Sequence, residues 1–335
     1  MRPSDLRDLI KSRFNALIAR PLHVESSPGL GKTQIAKQVS NELEVSFRAI
    51  HAPLLQPEDY GFPVIASNRD DVRFIVSKEK FPVERSNAPD RGIFLIDELS
   101  QADASAQKIL ANLIQEREIH GERLKPGWMI VTTGNRASDR AGANRLLTHL
   151  KNRLTCVTLE ASIDDWADWA HANSIRSEVV SFIRFRPELL NSFDPNREVN
   201  ATPRAWAEGV SPSLGVVSPH LEAQVFAGDV GEGPAAEFVA YLQIYRNLPD
   251  IDQIFSKPLE VDVPSDPATQ YALTGALASR ATLENFGAIL KYIARLPKEF
   301  TVLLVKEAIR RDRGLQKSKD FLDWAVREGT KLLSL

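Results

Sequence analysis

No part of this 335-residue chain restricts its possible folds as tightly as Ser26-Ser27-Pro28-Gly29-Leu30-Gly31-Lys32-Thr33. A β-prone run follows Pro21 and a helical run extends from Lys32 to about Glu44, so the pattern predicts strand, loop and helix in that order. The glycines let backbone N–H groups turn inward and cradle phosphate at the start of a helix. Lys32 then meets the β- and γ-phosphates and Thr33 offers its hydroxyl to Mg²⁺, as in the pattern G-x-x-x-x-G-K-[ST]. Ser26 stands where that pattern has its first glycine. A position demanding positive φ would cost serine more than glycine. The candidate cofactor-binding residues are therefore Ser26, Ser27, Pro28, Gly29, Leu30, Gly31, Lys32, Thr33 and Gln34, with Asp97 added below.

Ile93-Phe94-Leu95-Ile96-Asp97-Glu98 is an apolar run ending in two carboxylates, as expected of a buried parallel strand. Ligands bind at the carboxyl ends of strands in an open α/β sheet. Asp97 is placed to hold Mg²⁺ with Thr33, and Glu98 to polarise an attacking water. A third strand, Trp128 to Thr132, runs on through Thr133 and Gly134 to Asn135, which is suited to orienting that water or sensing a γ-phosphate. Arg136, Arg140, Arg145 and Arg153 follow. Phosphoryl-transfer sites completed by a neighbouring subunit use such arginines to stabilise developing charge. Arg204, in Thr202-Pro203-Arg204-Ala205-Trp206, sits near a predicted helix start because proline favours the first turn.

Further strand-like runs at Val45–Ile50 and Leu154–Leu159, with helical patterns over about 101–117 and 143–151, make strands and helices alternate across residues 20–160. That alternation predicts a parallel sheet flanked by helices. Residues 4–19 read as an amphipathic opening helix capped by Ser4 or Asp5, with Leu17 and Ile18 on its apolar stripe. The span from about 51 to 92 interrupts the alternation with an inserted hairpin turning at Ser67–Asp71, and residues 117–124 suggest a smaller hairpin turning at Gly121. From Ser162 onward the pattern is helical. Trp166 and Trp169 are expected to pack inside it, and the basic run from Lys306 to Lys319 to form a solvated face.

Composition narrows the partners. Net charge is −2, with 42 Lys and Arg against 44 Asp and Glu, which weighs against a body-wide grip on nucleic acid. A single cysteine, Cys156, cannot form an intrachain disulfide, so a reducing, cytoplasmic setting is expected. No apolar stretch approaches the length of a membrane span, and no membrane insertion is expected.

The ordered set SSPGLGKT, FLIDE, TTGNR, LKNR and TPRAW resembles the AAA+ ATPases, specifically their MoxR-like branch, over roughly residues 5–215. The resemblance implies a P-loop α/β core with helices on both faces over 1–160, a helical lid over 161–215, and a C-terminal helical extension over 216–335. It matches Lys32 and Thr33 to Walker A, Asp97 and Glu98 to Walker B, and Asn135 to sensor 1. Arg153 matches the arginine finger acting on a neighbour's nucleotide, with Arg145 in reserve, and Arg204 matches sensor 2. The hairpins resemble the helix-2 insert and the pre-sensor-1 hairpin. ATP and Mg²⁺ are the implied cofactors, and a homo-oligomeric, hexameric ring the implied assembly. A remodelled protein client or adaptor, such as a von Willebrand factor A domain protein, is the implied partner. The competing functions are a nucleic-acid motor or loader and a nucleotide-gated scaffold with little turnover.

Overall fold

The computed structural model describes residues 1–65, 72–136 and 146–329, which divide into two compact units. The first comprises Met1–Ser162 with Phe193–Asn196, and the second Ile163–Ser192 with the chain from Arg197 onward.

In the first unit the chain forms α1 (Pro3–Asn15), β1 (Leu22–Ser26), α2 (Lys32–Glu42), β2 (Ser46–His51) and the short α3 (Pro57–Tyr60). The hairpin β3 (Phe62–Ile65) and β4 (Val72–Ile75) comes next, then β5 (Arg91–Asp97) and α4 (Ala104–Glu116). A second hairpin, β6 (Glu118–Ile119) and β7 (Glu122–Arg123), leads to β8 (Gly127–Asn135), α5 (Thr148–Lys151) and β9 (Thr155–Thr158). Strands β2-β5-β8-β1-β9, in that order, make one parallel sheet.

The apolar run of β5 follows from its central place. Ile93 and Leu95 face α1 and α2 in a core with Leu6, Ile10 and Val39. Phe94 and Ile96 face the opposite side with Leu110 and Leu113 of α4. Both faces are covered, so neither tolerates alternation with polar residues, and each such side chain contributes about 1.5–3 kcal/mol by burial.

Several expectations needed adjustment. The opening helix starts after Arg2, with Pro3 in its first turn and Asp5 three residues past the cap, so neither Ser4 nor Asp5 is the cap. It also stops at Asn15: Leu17 turns into the left-handed region at φ 52°, and Leu17 and Ile18 are exposed. The inserted hairpin is present as β3 paired antiparallel with β4, while its expected turn at 67–71 lies outside the described residues, as do residues 143–145 of the expected helix. Gly121, at φ 81°, turns the smaller hairpin as expected. His120 beside it stacks on Phe74 with ring centroids 4.4 Å apart.

The second unit is helical: α6 (Ile163–Ala172), α7 (Ser177–Phe185), a π-helical stretch Ala205–Val210 running into α8 (Ser211–Ser213), α9 (Pro219–Val230) and α10 (Glu232–Arg246). Then come α11 (Ile251–Ser256), α12 (Pro267–Ser279), α13 (Phe286–Ile293), α14 (Lys298–Arg311) and α15 (Lys319–Trp324). Trp166, Trp206 and Leu214 share one core with Phe226 and Phe238, so packing is continuous across residues 215 and 216. A second core gathers α11 to α14 around Phe286, Ile289 and Leu304. The basic run is the solvated face its charge suggested at Lys306, Arg311, Arg313, Lys317 and Lys319, which are exposed, while Arg310 is half-buried. Arg310 pairs with Asp164, Asp168 and Glu307, and Arg311 donates to the carbonyls of Ser279 and Ala281.

Candidate nucleotide site

Parallel register assembles the site at the carboxyl ends of three strands. Ser26 of β1 lies opposite Asn135 of β8, and Ile96 of β5 lies opposite Thr132 of the same strand. The strand ending in Asp97 is therefore not the immediate neighbour of the one ending in the glycine loop. Strand β8 runs between them and contributes its own polar end.

Within the loop, positive φ falls on Gly29 at 78° and Gly31 at 74°, where glycine is the inexpensive residue. Ser26 is the last residue of β1 and keeps an extended backbone, so this chain needs no glycine there. Its buried hydroxyl donates to the Ser27 carbonyl at 2.7 Å and accepts from Lys32 Nζ at 2.8 Å. The ammonium of Lys32 also reaches Asn135 Oδ1 at 3.1 Å and the Ser27 carbonyl at 3.4 Å. Helix α2 starts at Lys32 with no side-chain cap and no acid in its first turn. Its N-terminal N–H groups and dipole favour an anion there.

Asp97 is buried and held on both oxygens. Thr33 Oγ1 donates to Oδ2 at 2.7 Å, and Thr133 Oγ1 donates to Oδ1. Thr133 Oγ1 in turn accepts from the Glu98 amide at 3.0 Å. Thr33 and Asp97 supply hard oxygen donors from two elements, which fits Mg²⁺, an ion that commonly takes one or two protein oxygens and fills its octahedron with water and phosphate. Glu98 takes a left-handed φ of 57°. It does not cap the following helix: Asp103 does, accepting from the Ala106 amide. Among the described residues the Glu98 carboxylate has neither a hydrogen bond nor an ion pair. A half-buried carboxylate without a partner among the described residues, beside these oxygen donors, can orient and polarise water.

Three members of this cluster were not foreseen from sequence. Thr133 anchors Asp97, Ser100 Oγ accepts from the Asn135 amide at 3.2 Å, and His51 Nδ1 lies 3.8 Å from Asp97 Oδ2. His51 is opposite Asp97 in the register of β2 and β5, a relation the linear sequence does not display. Gly134 is required by crowding, since a Cβ there would lie 2.7 Å from Ser100 Oγ.

The candidate arginines fall elsewhere. Arg136 donates to the Leu159 carbonyl at 3.0 Å, a structural contact. Arg140 and Arg145 lie outside the described residues. Arg153 precedes β9, whose Thr155 is opposite Leu22 at the start of β1. It is thus a strand's length, at about 3.3 Å per residue, from the end of β1 where Lys32 sits. Its guanidinium makes no hydrogen bond or ion pair among the described residues. Arg204 belongs to the second unit and is exposed beside Pro203 at the start of a helix. Trp206 anchors that helix by donating to the Leu189 carbonyl at 2.7 Å.

The parallel sheet, the glycine loop opening α2 and the paired acids at a strand end define a phosphate-loop nucleotide-binding domain. Residues 24–155 match the family model described as ATPase family associated with various cellular activities (AAA). No curated protein matches the chain. Solved structures similar to it include the RuvB Holliday junction branch migration motor of Thermotoga maritima, 13% identical, covering 98% of this chain and 87% of that one at a TM-score of 0.36. NtrX from Brucella abortus in complex with ATP is 12% identical and covers 98% and 68% of the two chains at a TM-score of 0.38.

Proposed function

We propose that this chain is a MoxR-like AAA+ ATPase that binds Mg²⁺ and ATP, hydrolyses the nucleotide in a homo-oligomeric ring, and uses the cycle to remodel a protein partner. The observation that carries the reading is the joining of Lys32, Asn135, Thr33 and Asp97 at one sheet edge, with the Glu98 carboxylate unengaged beside them. Lys32 and the α2 N-terminus would hold the phosphates, and Thr33 and Asp97 would hold Mg²⁺, which would supply neutralisation of phosphate charge there. Glu98 accepts a proton from the attacking water, and Asn135 orients it. Arg153, about a strand's length from its own loop and without a side-chain partner among the described residues, serves a neighbour's nucleotide, and Arg204 of the helical region acts as sensor 2.

A shared site of this kind makes hydrolysis depend on assembly. Contacts between unlike surfaces close into rings when the rotation permits, and a nucleotide bridging the joint stabilises the ring by mass action. A protein client, such as a von Willebrand factor A domain protein, is the partner this reading favours. Equilibrium ATP binding and phosphate release test it. Lys32→Ala should lose binding, whereas Glu98→Gln should bind ATP normally and release phosphate at least about 100-fold more slowly. Equal turnover by Glu98→Gln and the unaltered chain would contradict it.

A further inference from the structure

The short helix α5, which delivers Arg153, is tied down at both ends by side chains that the nucleotide chemistry does not use. At its start the Leu147 amide donates to Gln107 Oε1 at 3.2 Å, and Gln107 Nε2 donates to the Ala102 carbonyl at 3.1 Å. Gln107 is fully buried, so both bonds replace water it has lost. Ala102 closes the turn that leaves Glu98. At the far end of α5, Lys151 Nζ is 3.4 Å from Glu25 Oε1 on β1. Glu25 is 3.6 Å from His23 Nε2, and His23 Nδ1 is 2.7 Å from Thr132 Oγ1 on β8. His23 is wholly buried, and its ring lies against Gly134, where a Cβ would be 3.1 Å from Cε1. Finally, Arg20 Nη2 donates to the carbonyls of Asn152 at 2.7 Å and Leu154 at 3.0 Å, the two residues flanking Arg153. Arg13 donates in turn to the Arg20 carbonyl.

We infer that Arg20, Glu25 and Gln107 are positioning residues for Arg153. They index the finger that a protomer offers to its neighbour against the strands and the turn carrying that protomer's own nucleotide site. The inference rests on the proposed trans role of Arg153 and deepens it. Three attachments hold the segment around a guanidinium that has no partner among the described residues, as expected where the side chain must be held out at a fixed angle. Because the attachments lead to Thr132, Gly134 and Ala102, a shift of β8 or of the turn after Glu98 on nucleotide turnover moves the finger offered next door.

The test places one substitution on either side of a joint in the full-length protein. Glu98→Gln protomers carry an intact finger and Arg153→Ala protomers an intact acid, so their mixture should recover ATPase activity. Adding Arg20→Ala to the Glu98→Gln protomer, the finger donor, should lower the recovered activity about tenfold or more, since small misplacements of a catalytic group cost that much. Adding it to the Arg153→Ala protomer, the acceptor, should leave recovery within about twofold, the finger of that protomer being already absent. Lys151→Met, at an exposed position, should repeat the asymmetry, and Arg20→Lys on the donor should recover part of the loss. Equal losses from donor and acceptor would mean a merely structural role and overturn the inference, as would no loss from either. Failure of the parent mixture to recover activity would instead remove the trans role of Arg153, and the inference with it.

Discussion

Thr133 shows how much of the site depends on single atoms. Its hydroxyl donates to Asp97 Oδ1 and accepts from the Glu98 amide, so one oxygen fixes both the proposed metal ligand and the turn that presents the proposed base. Thr133→Val keeps shape and volume but strands a buried carboxylate oxygen and an amide. The expected cost is about 1–3 kcal/mol, read by urea denaturation without nucleotide, with Thr133→Ser close to the parent. The same stability for Thr133→Val and the parent would show that Asp97 is held without it. The site residues legible from sequence were those that carry chemistry in a recognisable order: Lys32, Thr33, Asp97, Glu98 and Asn135. Thr133, Ser100 and His51 were not legible because each meets Asp97 or Asn135 through interstrand register or a turn, and no spacing along the chain encodes which strand lies beside which. Ser26 stands in for the pattern's first glycine without strain because its backbone is extended. Gly31, by contrast, sits at φ 74° with only Gln34 Cβ near a would-be Cβ, at 4.0 Å. Gly31→Ala should cost about 1–2 kcal/mol from backbone strain alone, measurable by the same denaturation.

At the scale of elements, β5 and β8 were legible because they are buried on both faces and so appear as near-continuous apolar runs. The opening helix was overextended because its apolar period continues through Leu17 and Ile18 after the backbone has turned away. Helix α14 hid its role for a related reason: charge counted along the chain says nothing of what lies opposite. Glu307, on α14, is buried; His171 Nε2 of α6 lies 2.6 Å from Oε2, and Arg184 Nη2 of α7 donates to Oε1 at 2.7 Å. Arg310 Nη1 adds a bond to Oε1 at 2.8 Å. Burial pulls the carboxyl up, but the His171 hydrogen bond and the charges of Arg184 and Arg310 outweigh it, holding Glu307 below its ordinary value of 4.5. A depressed carboxyl contributes its stability in full above the unfolded value and loses it as pH falls through the folded one. Glu307→Gln should therefore destabilise the protein by about 3–5 kcal/mol at neutral pH, as breaking a buried ion pair does. The gap from the parent should narrow as pH drops below 4.5. Chemical denaturation at pH 7 and in the acid range checks it, and a gap that widens in acid would reverse the sign argued here.

For the whole molecule, the two units carry different parts of the proposed cycle: the sheet unit holds phosphates, metal and base, and the helical unit presents Arg204 beside Pro203. Fold class was legible across the chain because it follows from alternation and period, which survive without knowledge of tertiary contacts. The partition of the helical region was less so, since Trp206 and Leu214 share a core with Phe226 and Phe238, and loop composition near 211–219 marks a bend in the chain without a break in packing. The proposed assembly depends most on the placement of one residue, Arg153, at the sheet edge opposite its own glycine loop. Phosphate release from an equal mixture of Glu98→Gln and Arg153→Ala proteins, each inactive alone, measures it most directly. Random mixing pairs an intact acid with an intact finger at about a quarter of the joints, so activity should return at about that fraction of the parent's rate. A mixture as inactive as its components would mean that the nucleotide site is not shared between protomers.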